Sequence, residues 1–369
     1  MVLFNASIAS QKVVNVALIG PGGVGSAVLE QLSTLKQFKL ISISNSKSTY
    51  FNENAISFLN AKEELIKNGK QLCLEKELIP SLSKFQPCVF IDNTSSEAVA
   101  NLYPLALSHG VHVATPNKVG FSSSLSLSNH INEASKASGA LAYKESTVGA
   151  GLPIISTLES LIKTGDKVNK IEGVLSGTMS YLFNTYSKAN GKNEDMKFST
   201  LVSDARDQGY TEPHPGSDLS GSDVARKLAI LSRIVPGLEN ALAEGVNSVD
   251  VQSLIPAGLE GDDVTPDGFL EGLKNHDDYF EKLRSDAASK DSVLRFVGVI
   301  DVASGKIKAG LETYPSSHPL ASLTGSDNIF LFHTDRYGAR PLIVQGAGAG
   351  SQVTAMGVVS DCIAISERV

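Results

Sequence analysis

In the stretch GYTEPHPGSDLSGSDVARKLAI, residues 209–230, Glu212, Asp218 and Asp223 gather among Gly, Ser and Pro residues, just before an apolar helical run that carries Arg226 and Lys227. Carboxylates attract a cation, and a lysine held near a reacting oxygen stabilises negative charge on it or exchanges a proton with it. The same residues also support a purely structural reading. Ser220 and Asp223 have the spacing of a helix N-cap followed by an acidic N3 residue, and Asp223 with Lys227 makes an acid-first i,i+4 pair. A surface pair of that kind contributes only about 0.3–0.5 kcal/mol. The local pattern leaves both readings open.

A second group lies near the N-terminus. GPGGVG, residues 20–25, sets Gly20, Gly22 and Gly25 in GxGxxG spacing, after the β-branched run VVNVALI (13–19) and at the head of the helical pattern GVGSAVLEQLSTL (23–35). That context is the one a dinucleotide fingerprint needs. Gly20 permits the tight turn, Gly22 lets a pyrophosphate approach the backbone, Gly25 allows close helix packing, and the helix N-terminus attracts phosphate charge. Gly20, Gly22, Gly23, Val24 and Gly25 are therefore read as cofactor-binding. An NAD-selective site usually places Asp or Glu at the end of the second strand, but residues 44–50 read SNSKSTY, with no acid and with Lys47. A 2′-phosphate meets no repulsion there, so NADP is favoured, with NAD possible.

These groups must be positioned by a chain of 369 residues that is 42% hydrophobic and 19% charged, an ordinary globular composition long enough for two or three structural regions. A net charge of −7 argues against a general nucleic-acid or acidic-membrane surface. No apolar run reaches the roughly 18 residues of a membrane span. MVLFNASIASQ (1–11) has no Lys or Arg and no long apolar core, so it reads as a loose extension rather than a signal peptide. Cys73, Cys88 and Cys362 are too few and scattered for a disulfide framework or a CxxC metal site, so a soluble, cytoplasmic protein is expected.

Strand-like KLISIS (39–44), CVFIDN (88–93), VHVAT (111–115) and ALAYK (140–144), with helical stretches such as SEAVANLYPLALSHG (96–110), continue the βαβ pattern. The fold class expected is α/β, with an N-terminal doubly wound, Rossmann-type dinucleotide-binding domain. After it, helices near 153–163, 178–188, 197–207 and 221–233 accompany strands near 169–177, 293–302, 306–314 and 328–334, which suggests an α+β domain. The tail 341–365 reads as a Gly-rich turn and a small-residue helix that packs back on the N-terminal sheet. Residues 261–263 read as a solvated acidic loop.

Several oxidoreductase chemistries drop out. None of the nine tyrosines is followed by lysine at the TyrxxxLys offset of short-chain dehydrogenases. The cysteines lack the exposed Gly-rich turns of a thioester-forming nucleophile, and His109 with His112 read as surface residues rather than zinc ligands. Lysines and carboxylates remain to assist a hydride transfer.

ARDQGYTEPHPGSDLSGSDVARK (205–227) resembles the signature of the homoserine dehydrogenases, and ATPNK (114–118), STVGAGLPII (146–155), SGTMSYLFN (176–184) and QGAGAG (345–350) resemble that family's other blocks in the same order. The resemblance spans nearly the whole chain. It is nearest to the short, monofunctional fungal form, since no kinase region precedes residue 13 and no ACT-type region follows 369. His214 departs from the pattern, which prefers Asp, Asn or Ser before the proline; it is read as peripheral, with the loop's charge at stake.

The resemblance implies interconversion of L-aspartate 4-semialdehyde and L-homoserine with NADPH as hydride donor, leading to threonine, methionine and isoleucine. It implies that Glu212 binds the substrate ammonium, that Asp218, Asp223, Thr178, Tyr210 and Gly177 line or organise the pocket, and that Lys227 and Lys118 face the reacting oxygen, Asp223 orienting Lys227. The resemblance further implies that Asn93, Thr94, Ser95, Lys118 and Gly348 join the cofactor site and that a structural sodium ion is held by Glu145, Val148, Ala150 and Leu152. It also implies a homodimer, with residues 1–144 and 347–369 for nucleotide binding, 145–152 and 293–346 for dimerisation, and 153–292 for the substrate. Two alternatives are a reductase of another semialdehyde or imine, and a non-catalytic NADP sensor. Retention of Glu212, Asp223 and both lysines disfavours the sensor.

Overall fold

The computed structural model of the chain describes residues 12–189, 196–261 and 263–369. The extension read over residues 1–11, and Asp262 of the acidic loop, lie outside the described residues. Two compact units emerge: residues up to Gly120 with Ser126–Ser146 and Gly350–Val369, and Phe121–Leu125 with Thr147–Ala349.

The first unit is built on a sheet of β1 (Val14–Ile19), β2 (Phe38–Ser44), β3 (Thr49–Ile56), β4 (Cys88–Asp92), β5 (His112–Ala114) and β6 (Ala142–Tyr143), in the order β3-β2-β1-β4-β5-β6. All neighbours are parallel except β2 and β3. Strands of a parallel sheet are covered on both faces, which is why β1 and β4 read as nearly continuous apolar runs, with Asn15 and Asp92 their only polar members. β3 escapes the sequence reading because Asn52, Glu53 and Asn54 give this edge strand no apolar period. The helical stretch 96–110 is two helices, Glu97–Ala100 and Tyr103–Ser108, with Pro104 in the first turn of the second, where its missing N–H does no harm. The C-terminal helix Ser351–Ser366 does return to this sheet. Its Ala355, Val358, Cys362 and Ile365 share one core with Val16, Leu18, Val28 and Leu32.

The second unit has a sheet of β7 (Val168–Val174), β8 (Asp250–Val251), β9 (Ser292–Asp301), β10 (Lys306–Pro315), β11 (Asp327–Thr334) and β12 (Leu342–Ala347), ordered β12-β11-β7-β9-β10-β8. The strands of 293–346 thus share one sheet with β7 and β8. β12 occupies part of what the sequence suggests is only a Gly-rich turn. Helix Ser222–Ser232 is seated on β9 where Gly298 has no side chain: a Cβ there would lie 2.9 Å from Leu228 and 3.0 Å from Val224. Deeper in this unit, Arg295 of β9 is 1% exposed and donates to the carbonyls of Phe183, Ser187, Leu294, Leu320 and Ala321. Burial lowers its pKa to about 10. The cation caps the C-terminal end of helix Gly177–Tyr186, where the backbone carbonyls carry partial negative charge.

Candidate active site

At the end of β1 the glycines have separate duties. Gly20 adopts φ +84°, and a Cβ there would stand 2.7 Å from Thr94 Cγ2 and 3.0 Å from the Asn93 carbonyl oxygen. A Cβ on Gly25 would fall 2.1 Å from the Gly20 carbonyl oxygen, so the third glycine lets the helix close onto its own turn. At Gly22, which precedes helix Gly23–Leu32, a Cβ would meet nothing within 4 Å. Gly20 and Gly22 line a cavity of about 880 Å³ together with Lys47, Thr94, Ser95 and Lys62. Val24, just inside the helix, packs against the core of this unit, and a Cβ on Gly23 would meet Ser351 Oγ at 2.9 Å.

Lys62 was missed by the sequence reading because its helix, Ala61–Asn68, follows the unrecognised β3; its Nζ donates to Ser26 Oγ at 3.2 Å. Asn45 Oδ1 accepts from the backbone N–H groups of Lys47 and Ser48, both at 2.8 Å, and so shapes the loop that carries Lys47. Asn93 has a buried side-chain amide with no partner among the described residues. A roomy glycine-walled cavity, two lysines and an unpaired amide fit a phosphorylated dinucleotide. Lys118 is half-buried in the same unit. Gly348 belongs to the second unit, where a Cβ would lie 2.1 Å from Asn328 Cγ.

The acid and lysine group assembles within the second unit. Lys227 is 6% exposed, and its Nζ donates to Asp223 at 2.7 Å and to the Leu175 carbonyl at 2.5 Å. Such a lysine is not a surface pair. Asn328 Nδ2 shares the Leu175 carbonyl at 2.9 Å. The N-cap expected at Ser220 is a correction: Ser220 closes the preceding helix, Pro215–Leu219, and donates to the Ser217 carbonyl at 2.7 Å. Gly221 takes the N-cap of Ser222–Ser232 at φ +75°, where a Cβ would strike Phe296 at 2.8 Å.

Asp218 Oδ2 accepts from the Glu212 backbone N–H at 2.8 Å. The Thr178 hydroxyl has two acceptors in reach, the Tyr210 carbonyl at 2.7 Å and Asp218. Tyr210 stacks on Tyr181 at 4.4 Å, and Gly177 and Thr178 open a helix whose N-cap, Ser176, accepts from the Met179 N–H. Burial raises the Asp218 pKa, opposed by its Thr178 and Glu212 hydrogen bonds and reinforced by the charges of Glu212 and Asp223. The charges of Glu212 and Asp223 thus both repel that of Asp218, an arrangement that a bound cation relieves.

His214 does more than a peripheral residue would. Its Nδ1 accepts from the Gly216 N–H at 3.0 Å, its Nε2–H donates to the Val264 carbonyl at 2.9 Å, and its ring meets Phe269 edge-on at 5.2 Å. A neutral imidazole thus does the capping work of Asp, Asn or Ser. His112 is another correction: it is buried in β5, accepts from the Leu141 N–H at 2.9 Å, and has its pKa lowered by burial.

The residues read as sodium ligands fall in consecutive chain. The Glu145 N–H donates to Asp361 in the first unit, while Val148, Ala150 and Leu152 open the second. Gly149 and Ala150 both adopt positive φ, +80° and +55°. Among the described residues no group of three or more His, Cys, Asp or Glu side chains could hold a metal.

Residues 153–363 match the family model described as homoserine dehydrogenase, and residues 20–145 match its NAD-binding domain. The chain is 44% identical to homoserine dehydrogenase of Schizosaccharomyces pombe, over 98% of this chain and 97% of that protein. The chain belongs to the homoserine dehydrogenase family. Its function is that of the family, homoserine dehydrogenase activity in amino-acid biosynthesis, and it is an NAD(P)-dependent oxidoreductase. The homoserine dehydrogenase of Saccharomyces cerevisiae is 43% identical over 97% of this chain and 99% of its own. Among solved structures, a Candida auris protein of unknown function is 44% identical with a TM-score of 0.91, covering 97% of this chain and 99% of its own. A hyperthermophilic archaeal homoserine dehydrogenase in complex with NADPH, 21% identical, shares the fold at a TM-score of 0.70, covering 96% and 98%. Among the described residues, no helix is long and apolar enough to cross a membrane.

Proposed function

We propose that the chain reduces L-aspartate 4-semialdehyde to L-homoserine, reversibly and with NADPH preferred, and that Lys227 exchanges the proton at the reacting oxygen. The observation that carries this reading is the buried Lys227 ammonium, held between Asp223 and the Leu175 carbonyl in the helix that follows the Glu212 and Asp218 pair. This substrate bears an α-ammonium and an aldehyde, so it needs acids for one end and a proton donor for the other. Glu212 binds the ammonium. Asp218, fixed by Glu212 and Thr178, adds negative charge, and Tyr210 and Gly177 shape the wall. Bound NADPH supplies the hydride. As charge develops on the aldehyde oxygen, Lys227 stabilises it and gives up a proton; in the reverse direction its neutral amine accepts the hydroxyl proton. Asp223 keeps the lysine oriented, and Lys118 is the competing proton carrier.

Gly20, Gly22, Gly23, Val24 and Gly25 seat the pyrophosphate. Thr94 and Ser95 of the cavity, with Asn93 and Lys118 of the same unit, complete the cofactor site there, and Lys47 with Lys62 receives the 2′-phosphate. The test is one assay of purified protein with a panel of semialdehydes and both nicotinamides, run on the chain and on Lys47→Ala. Turnover is expected with aspartate semialdehyde, and K47A should raise the NADPH KM about fivefold to tenfold, of order 1 kcal/mol, while hardly moving that of NADH. No turnover with aspartate semialdehyde overturns the substrate, and equal effects on both cofactors place Lys47 away from the phosphate.

A sodium ion on the carbonyls of Val148, Ala150 and Leu152 would stiffen a segment that holds an alanine at φ +55°. The residues 145–152 and 293–346 form a homodimer interface, a reading supported by β12, an edge strand whose Ile343 is 40% exposed. Sedimentation at micromolar concentration is expected to give a dimer; a monomer refutes the assembly. The reaction belongs in the cytoplasm, in keeping with three unpaired cysteines.

A further inference from the structure

β4 ends in Asp92, which is 0% exposed and takes no part in the chemistry above. Its Oδ1 accepts from the Thr94 N–H at 2.8 Å. Its Oδ2 accepts from the Tyr103 hydroxyl at 2.5 Å and from Asn117 Nδ2 at 3.0 Å, and its main-chain carbonyl accepts from the Thr115 hydroxyl at 2.7 Å. Thr115 Oγ1 in turn accepts from the Asn117 N–H at 2.9 Å. Asn117 Nδ2 also donates to the Ser96 carbonyl at 3.1 Å, and Asn117 Oδ1 accepts from the Val119 N–H at 3.1 Å. Two loops of the first unit therefore meet on one carboxylate. The loop after β4 carries Thr94, Ser95 and Ser96 into the cofactor cavity, and the loop after β5 carries Lys118 between Asn117 and Val119. The Tyr103 ring closes the far side, since a Cβ on Gly120 would stand 3.0 Å from it.

We infer that Asp92 is a positioning residue that sets the cofactor loop and the Lys118 loop in register from a single carboxylate. The reading of Lys118 rests on the role proposed above; the reading of the cofactor loop does not. All of Asp92's partners donate to it, and they approach both oxygens, a pattern that the two acceptor oxygens of a carboxylate satisfy. Burying a charge among neutral donors is costly, so a network kept this way is one whose geometry matters. Asparagine at 92 has one acceptor oxygen and would turn an NH2 group against either the Thr94 N–H or the pair Tyr103 and Asn117, releasing one of the two loops.

The test compares Asp92→Asn with the unaltered chain for NADPH dissociation constant, kcat and melting temperature, in the presence and absence of Lys118→Met. D92N is expected to weaken NADPH binding at least fivefold and lower kcat at least tenfold, and to lower kcat less than twofold further when Lys118 is already methionine. A lower melting temperature with unchanged NADPH affinity and kcat overturns the inference, because a merely structural carboxylate does only that. An equal kcat loss in both backgrounds removes the Lys118 part. If K118M alone turns over normally, the proton role of Lys118 fails while the NADPH affinity still decides the cofactor part. Should D92N not fold, Asn117→Ala removes the same bridge on the loop side. It is expected to show the same non-additivity with K118M; additive losses overturn the inference.

Discussion

Replacing Lys227 by methionine is expected to lower turnover by ~10²–10⁴-fold, the range typical of removing a general acid, with NADPH binding and folding nearly unchanged. The mildness toward folding follows from the partners left behind. Asp223 keeps 42% of its side chain exposed, so water replaces the lost ammonium, and the Leu175 carbonyl retains its hydrogen bond from Asn328. Methionine preserves the apolar stem where Lys227 passes through a buried helix face. Steady-state kinetics and thermal melting of K227M and Lys118→Met decide the matter. Near-normal rates in both variants sink the proton role of these lysines, and a collapse confined to K118M moves that role to Lys118.

The largest loss of stability is expected at Arg295. Arg295→Met should destabilise the second unit by about 3–5 kcal/mol, because the carbonyls of Phe183, Ser187, Leu294, Leu320 and Ala321 lose a common donor in a place water does not reach. Removing a buried cation recovers part of the desolvation cost, and the Phe183 carbonyl keeps the Ser187 N–H at 3.0 Å, which holds the figure below a sum over five lost bonds. Arg295→Lys should fall between, since one ammonium cannot span carbonyls that a guanidinium fork reaches from three nitrogens. The chain has no tryptophan, so urea unfolding is best followed by far-UV circular dichroism. A midpoint unchanged in R295M shows that the guanidinium is dispensable.

The sequence by itself determined the glycine turn, most strands and helices, and the residue types gathered at the proposed substrate site. Each of these acts locally: GxGxxG works through the backbone of a few adjacent residues, and apolar periodicity is written along a single element. The run from Glu212 to Lys227 is likewise one short piece of chain, legible before any packing is known. Tertiary structure decided the rest. Whether Asp223 and Lys227 form a solvated pair or a buried one depends on β9 and the Leu175 carbonyl, which lie far away in sequence. Ser220 closes helix Pro215–Leu219 and the N-cap passes to Gly221, whose φ of +75° and closeness to Phe296 admit no side chain. β3 pairs through backbone hydrogen bonds that carry no side-chain signature, which concealed Lys62 as well. Asp92 reads as the polar end of an apolar strand, and only the meeting of Thr94, Tyr103 and Asn117 around it makes it a junction. Charge, burial and hydrogen-bond partners at such positions are properties of neighbours in space, which spacing along the chain does not encode.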